Sequence, residues 1–452
     1  MHARTLATSL SIALLLTGAS ACGDEDPDTI PDRPTPAACP APQGGPTFHD
    51  RDVEGHEVWS ADASPHVVTE TISVRDGAVL TIEPCAVVQL ADGRSIDVAF
   101  PGTPTTGTLI AEATADRPIR FEGLDGARWG QLFVQSPGTA RLAHVTFDDG
   151  GGDGVDPSGA TLAAHGDGTL PTQRGLFVDH VTVRGSLGPG VSVRRMAGFA
   201  AGSTALVVTG SGNDEHPYPI EIAESALGSL PDGTYTGNLR DEIFVSPESR
   251  IQEDATIRDV GVPYHVGSSD RDHLTVGRYD ADDDFVTLTI EPGVELAFHP
   301  GTSIRIEHST GDFLATAALV AVGTADRPIV FRSAADAPAP GDWVGLWFGG
   351  IVRDETRIRH ARIEHTGADC GCVLLTCSDV SQFEGAVIMT QPPPSTFVTD
   401  TVISEASAHG FVLGYDGPML DFEAANTFED VGGCAMTLPR MSVCPDPRPG
   451  CR

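Results

Sequence analysis

The stretch LTIEP occurs twice in this chain, at residues 80–84 and again at residues 288–292. A second pair follows in the same order, because TADRPI at residues 114–119 recurs intact at residues 324–329. The offset between the copies grows slightly along the chain, as small loop insertions would cause. A duplication of this length predicts a repeat architecture in which each unit stacks on its neighbour.

Short strands surround the first LTIEP. AVLTI at 78–82, GTLIAEA at 107–113, PIRF at 118–121 and GQLFV at 130–134 alternate apolar and polar residues, and Gly, Pro or Asp fills the gaps. The gaps leave no room for the crossover helices of Rossmann or TIM folds. A β-sandwich would tolerate the spacing. The duplication favours an all-β, parallel β-helix solenoid built from a duplicated module.

The motifs GAVLTIEPxxxVxL, GTLIAEATADRPIRF and RWGQLFV make the chain similar to the bacterial parallel β-helix repeat surface lipoproteins, over roughly residues 55–435. The resemblance implies a right-handed coil of the pectate-lyase-like superfold and a place at the cell surface. It implies no catalysis, since the RxPxxR motif of pectate lyases is absent. Asp179-His180 resembles the strand whose aspartate holds calcium in those lyases, and we interpret it as an outward-facing pair.

The N-terminus has the features of an export signal. Residues 1–21 combine an early arginine, an apolar stretch and small residues before Cys22, which is typical of a secretory signal peptide. The small residues before Cys22 resemble a lipobox, which predicts lipid anchoring at the cell envelope, in the outer membrane or at the cell surface. Cleavage after Ala21 without lipidation is the alternative.

The rest of the chain divides into three predicted parts. Residues 22–50 are acidic and rich in proline, so we expect a disordered tether. Residues 51–257 form the first β-helix module. Residues 258–452 form the second module with a cysteine-rich end, and the two modules make one continuous solenoid.

The charge is strongly acidic, with 63 Asp and Glu against 28 basic residues, none of which is lysine. Nucleic-acid binding is excluded, because phosphate recognition needs a positive surface. Schiff-base catalysis is excluded as well, because it needs a lysine amine and the chain has no lysine. The acidity either keeps the protein soluble or serves calcium or another cationic ligand.

Nine cysteines are present, and an even number remains when Cys22 is set aside. An even number in an exported chain indicates disulfides. By elimination Cys39 would pair with Cys85, and a zinc site at Cys370, Cys372, Cys377 and Cys434 is the alternative for part of the set. The disulfide candidates are Cys39, Cys85, Cys370, Cys372, Cys377, Cys434, Cys444 and Cys451.

Two insertions follow equivalent strands of the two copies, at residues 148–156 and 367–377. We expect both loops to leave the same corner of the solenoid and to form its working face. The first begins like a glycine-aspartate calcium repeat, so its carboxylates are candidate calcium ligands, and the acidic turn at 280–284 is another. The candidates in the first loop are Asp148, Asp149, Asp153 and Asp156.

Two further residue types have alternative interpretations. His144 and His360 stand at equivalent positions, which favours a turn or packing role over a ligand role. The four tryptophans either offer platforms for sugar stacking or cover the coil. They are Trp59, Trp129, Trp343 and Trp347.

The function that these patterns favour is a non-enzymatic surface scaffold that binds polysaccharide, a cell-surface protein or another envelope partner. A calcium-dependent polysaccharide lyase or glycoside hydrolase is the alternative. Hydrolysis needs two carboxylates on one face, and Asp148-Asp149 is the pair best placed after a strand. A purely structural envelope protein is the third interpretation.

Overall fold

The computed structural model describes residues 39–100, 105–278, 285–306, 309–310, 313–314, 317–369, 384–439 and 450–452. The signal peptide, Cys22, the acidic turn at 280–284, Cys370, Cys372, Cys377 and Cys444 lie outside the described residues. The regular structure described is almost entirely β, with two short 3-10 helices at Leu124–Gly126 and Glu224–Ser229. No helix among the described residues is long and apolar enough to cross a membrane.

Five parallel sheets carry the strands. Sheet I contains Thr47–His49, His66–Val68, Val87–Leu90, Ile119–Gly123, Val145–Asp148, Thr182–Arg184, Leu206–Thr209 and Gly233–Thr234. Sheet II contains Ile72–Val74, Ile96–Val98, Leu132–Gln135, Leu162–His165, Val191–Arg194, Ile220–Ala223, Ile243–Ser246, Tyr264–Val266, Glu295–Phe298, Ile329–Ser333, Ala361–Glu364, Val402–Ala406 and Thr427–Val431. Sheet III contains His56–Trp59, Ala78–Ile82, Gly107–Glu112, Thr139–Ala143, Gln173–Asp179 and Ala197–Phe199.

The two remaining parallel sheets belong to the second half. Sheet IV contains Ala255–Ile257, Val286–Ile290, Ala317–Val322, Arg357–Arg359 and Val398–Thr399. Sheet V contains Leu274–Val276, Ser303–Ile306, Gly345–Phe348, Gly385–Met389 and His409–Leu413. The short strands Ser309–Thr310 and Phe313–Leu314 pair antiparallel.

Each strand pairs in parallel with the equivalent strand one turn later. Leu80 lies beside Leu109, and Leu109 lies beside Ala140, so the inward side chains form continuous columns. Their alternation matches the strand period, which places one residue in two inside the coil. One hydrophobic cluster runs from Val53 to Met436. These features confirm a parallel β-helix solenoid.

The two copies occupy different faces of the coil. After the first LTIEP strand in sheet III, the chain passes to sheet I and then to sheet II. After the second LTIEP strand in sheet IV, it passes to sheet II and then to sheet V. Sheet II is therefore the third face of the first copy and the second face of the second copy. The segment between the copies does not make a whole number of turns, so the second copy is rotated by one face.

Disulfides are present at both ends of the described solenoid. Cys39 is bonded to Cys85, the pair that elimination suggested, and Cys434 is bonded to Cys451. Cys85 has φ of 75°, and Gly293 at the equivalent position has 92°, so both copies make the same left-handed turn. Cys85 therefore adopts the backbone conformation that the glycine has in the second copy.

Residues 39–50, the last part of the expected tether, belong to the first coil. Thr47–His49 is the first strand of sheet I and pairs with His66–Val68. The backbone N–H of Gly44 donates to the carbonyl of Asp62 at 2.8 Å. With the Cys39 disulfide, these bonds make residues 39–50 part of the first coil, and the boundary drawn from composition is wrong.

Candidate functional site

The acidic insertion of the first copy packs against the coil. The backbone N–H groups of Gly151 and Gly152 donate to the carbonyls of Gly130 and Trp129, each at 2.7 Å. A Cβ on Gly154 would stand 1.8 Å from the side chain of Gln131, so this backbone lies in close contact with the rung below. The loop is a flank of the solenoid and does not protrude as a separate arm.

The four aspartates predicted as calcium ligands do not come together. Asp148 forms an ion pair with Arg184 at 2.8 Å. Asp149 has φ of 57° and belongs to the turn that follows the strand. The carboxylate of Asp153 lies beside Gly93, two rungs below. In the part of the chain that the structure describes, no three His, Cys, Asp or Glu side chains are arranged to hold a metal ion.

Asp156 has a structural environment. It is 1% exposed, and its carboxylate accepts hydrogen bonds from Ser158, from Ser192 at 2.7 Å and from His165 at 2.8 Å. Burial alone would raise the pKa of Asp156, but these donors outweigh it and hold the pKa well below its usual range. This carboxylate fastens the loop to sheet II.

The two insertions leave different corners. The first joins sheet I to sheet II, after Val145–Asp148. The second joins sheet II to sheet V, after Ala361–Glu364. The expectation of one shared corner is wrong, because the second copy is rotated by one face. Equivalent backbone bonds still start both loops, since Gly367 and Ala368 donate to the carbonyls of Val344 and Trp343.

The repeated histidines are turn residues. His144 and His360 have φ of 50° and 49°, the left-handed conformation needed at the corner. Asp179 lies at the end of its strand and is bonded to His180 at 2.6 Å, with both side chains partly exposed. These positions agree with the structural interpretations of both pairs.

The tryptophans are covered by the coil. All four are at most 2% exposed. The indole N–H of Trp129 donates to the carbonyl of Asp148 at 2.7 Å, and that of Trp343 donates to the carbonyl of Glu364 at 2.6 Å. Trp129 and Trp343 lie at equivalent corners of the two copies. None of the four tryptophans exposes its ring for stacking on a sugar.

A groove of about 750 Å³ lies on the outward face of sheet II, at the junction of the copies. Arg194, Glu221, Phe244 and His265 come from four neighbouring strands of this sheet. The groove is also lined by Asp214, Glu215, His216, Pro217, Tyr218, Arg240, Ser246, Gly267, Ser268, His299, Pro300, Ala334, Ala335 and Asp336.

Aromatic rings lie in the centre of the groove. Tyr218 and Phe244 stack with ring centroids 5.0 Å apart, and His265 is 5.4 Å from Tyr218. The guanidinium of Arg240 lies 6.0 Å from the Tyr218 ring. Tyr218 is almost buried and Phe244 is half-buried, so Phe244 exposes part of its ring to solvent while Tyr218 packs against it.

Charged side chains surround the rings in connected pairs. Glu221, 3% exposed, accepts from His216 at 2.7 Å, and the guanidinium of Arg194 is 3.8 Å away. Arg194 also pairs with Glu248 at 2.7 Å. On the next rung, Glu242 accepts from Arg240 at 2.7 Å and from His265 at 3.0 Å. The side chains are therefore held in fixed positions.

The hydrogen bonds within these pairs shift the pKa values of their members. The hydrogen bond to Glu221 raises the pKa of His216, against the opposing effect of burial. Burial would raise the pKa of Glu242, but the hydrogen bonds from His265 and Arg240 outweigh it and lower the pKa. Burial raises the pKa of Tyr218 to about 12, so its hydroxyl stays protonated and can donate.

Sequence reasoning missed every residue of this groove. Its members lie on segments separated by tens of residues and become neighbours through the stacking of rungs. One signal was present in the sequence. Glu221 and His265 interrupt apolar strands at the outward position, and Phe244 lies between them at the same position of the intervening rung.

No protein-family model, curated protein or solved structure matches the chain.

Proposed function

We propose that this protein is an exported, lipid-anchored envelope protein that binds polysaccharide in the sheet II groove without transforming it. The observation that carries the proposal is the Tyr218–Phe244 stack set among fixed charged groups. An apolar ring face with convergent polar groups is the usual composition of a ligand site. Sugar rings present both apolar C–H faces and hydroxyls to such a surface.

The shape of the groove favours a polymer. Its lining comes from four successive strands of sheet II, from Val191–Arg194 to Tyr264–Val266, and from the residues that directly follow the fifth strand, Glu295–Phe298. At ~4.8 Å between neighbouring strands, five strands extend over about 19 Å. A cleft of that length on the side of a rod suits several linked sugars better than one small molecule.

Phe244→Ala tests the binding role. We expect the full chain to be retained on immobilised envelope polysaccharide. Phe244→Ala should bind it at least tenfold more weakly, because the exposed ring face is removed. Phe48→Ala is the matched control, since Phe48 is exposed on the first strand and far from the groove in sequence. Equal binding by the wild type and Phe244→Ala would refute the proposal.

An enzymatic role of the same groove is the alternative. The His216–Glu221 and His265–Glu242 pairs resemble the carboxylate-oriented histidines that move protons in catalysis. A polysaccharide lyase or hydrolase would release reducing or unsaturated ends from the bound polymer, and Glu221→Gln would abolish the release. Dependence of that release on calcium is tested by adding EDTA. Binding without release of ends supports the scaffold.

The anchor at Cys22 needs a separate test. Metabolic labelling with palmitate should label the wild type, and Cys22→Ser should be unlabelled and found in the soluble fraction. An unlabelled wild type would remove the lipid anchor from the proposal and leave the groove untouched. A protein that is labelled but binds no polysaccharide would favour the purely structural envelope role.

A further inference from the structure

A second depression lies on the outward face of sheet II, in the first copy. It encloses about 420 Å³ between the turn at residues 92–95 and the tip of the acidic loop. Its polar lining comprises the carboxyl groups of Asp92, Asp97 and Asp153 and the hydroxyls of Thr71 and Ser95. We call it the Asp97 pocket.

Asp97 is an unpartnered buried acid. It lies on the strand Ile96–Val98, between Ser73 and Phe133 of the neighbouring strands. It is 3% exposed, and its Oδ1 atom has no hydrogen-bond partner among the described residues. Leaving a buried acceptor without a hydrogen bond destabilises the folded state. A ligand with a hydrogen-bond donor could satisfy this oxygen, which no donor of the described chain does.

The charges around Asp97 are predominantly negative. The carboxylate of Asp153 lies over Gly93, where an added Cβ would stand 3.5 Å from its Oδ2. Within the described chain, Asp92, Asp97 and Asp153 take part in no ion pair. Arg94, the cation of the lining, is paired with Glu70 at 3.4 Å. The nearby Asp52 is paired with Arg75 at 2.8 Å.

We infer that the Asp97 pocket binds a small organic cation whose ammonium group donates to Asp97. An ammonium has three N–H donors and a positive charge. It can donate to the unpaired oxygen of Asp97 and attract the carboxylates at the rim of the pocket. A chelated metal ion fits less well, because no three acidic or histidine side chains of the described residues converge on one point. The volume also exceeds that of a bare ion.

Ligand binding is coupled to the ionisation of Asp97. Burial and the charge of Asp52 raise the pKa of Asp97 to about 7. The protonated form cannot pair with a cation, so affinity should rise as pH increases from 6 to 8. The other charged groups that face the pocket are Asp92, Asp153 and the Arg94–Glu70 pair.

The test uses 3-amino-1-propanol, an alkyl amine that stays protonated in this range, and its neutral isostere 1,3-propanediol. Ligand-observed NMR with the full chain should detect the amine and not the diol. Asp97→Asn should weaken amine binding about tenfold or more at pH 8, the size expected for a charged hydrogen bond. Asp125→Asn, which makes the same charge change on an exposed turn, should bind as the wild type does.

Three outcomes would overturn the inference. They are equal binding of the amine and the diol, unchanged amine affinity in Asp97→Asn, and no amine binding by the wild type at pH 8, whether or not calcium chloride binds there. Asp153→Asn at the rim gives a second variant in case Asp97→Asn does not fold. It should weaken amine binding severalfold, and unchanged affinity there would also contradict the inference. None of these results affects the polysaccharide groove.

Discussion

Asp156 and Asp97 are two aspartates buried against the same face of sheet II, at 1% and 3% exposure. Asp156 accepts hydrogen bonds from Ser158, Ser192 and His165, and its pKa lies far below the usual range despite burial. Asp97 accepts none in the described chain, and burial raises its pKa to about 7. Burial alone therefore does not determine the ionisation state of an acid, because the donors around it decide whether its charge is stabilised.

The largest expected effect is the loss of the satisfied carboxylate. Asp156→Asn should lower the free energy of unfolding by about 3 kcal/mol, because an amide cannot accept all of these donors and the pair with His165 is broken. Urea denaturation at pH 7 measures the change, with Asp125→Asn as the matched control. A loss below about 1 kcal/mol would show that the donors do not stabilise the charge.

The unsatisfied acid should behave in the opposite way. The pKa of Asp97 is higher in the folded state than in the unfolded state, so the folded protein loses stability as pH rises from about 4 to 7. At pH 8, Asp97→Asn should raise the free energy of unfolding by about 1–2 kcal/mol, since the buried charge is removed and the amide remains incompletely paired. Denaturation at pH 5 and pH 8 should show this advantage shrinking at the lower pH. Destabilisation at pH 8 would contradict the comparison.

A single donor to Asp156 should have an intermediate effect. Ser192→Ala removes the hydroxyl that donates to Asp156 at 2.7 Å and should cost about 1 kcal/mol. The pKa of Asp156 should rise, so the loss of stability on acidification should begin at a higher pH than in the wild type. Thermal melting between pH 3 and pH 7 follows both changes, and an unchanged acid limb would argue against this donor.

The smallest effect concerns the exposed pair. Asp148→Asn removes the partner of Arg184 and should change stability by about 0–1 kcal/mol, because solvent screens the interaction. Melting curves of the wild type in millimolar calcium and in EDTA should coincide, since the predicted ligands lie apart. A calcium-dependent shift that Asp148→Asn abolishes would restore the loop as a metal site.

Much of the fold could be predicted from the repeat. LTIEP at 80–84 and 288–292 predicted stacked equivalent strands, because inward alternation in a coil needs the same pattern on each rung. The acidic loop was predicted as part of a working face because it is an insertion in the repeat that begins like a calcium-binding sequence. Composition does not reveal that the glycines serve close contact with Trp129 and Gln131. The buried position of Asp156 depends on donors from two other strands.

The parallel β-helix, the duplicated module and a turn or packing role for the corner histidines could be predicted from the sequence, and Cys39–Cys85 was the pairing that elimination suggested. These features follow from local alternation, from turn residues and from repetition along one chain. The rotation of the second copy by one face, the groove around Phe244 and the contrast between Asp156 and Asp97 could be found only in the folded molecule. Each of them depends on which rungs become neighbours. Stacking sets that neighbourhood, and a non-integral number of turns between the copies changes it.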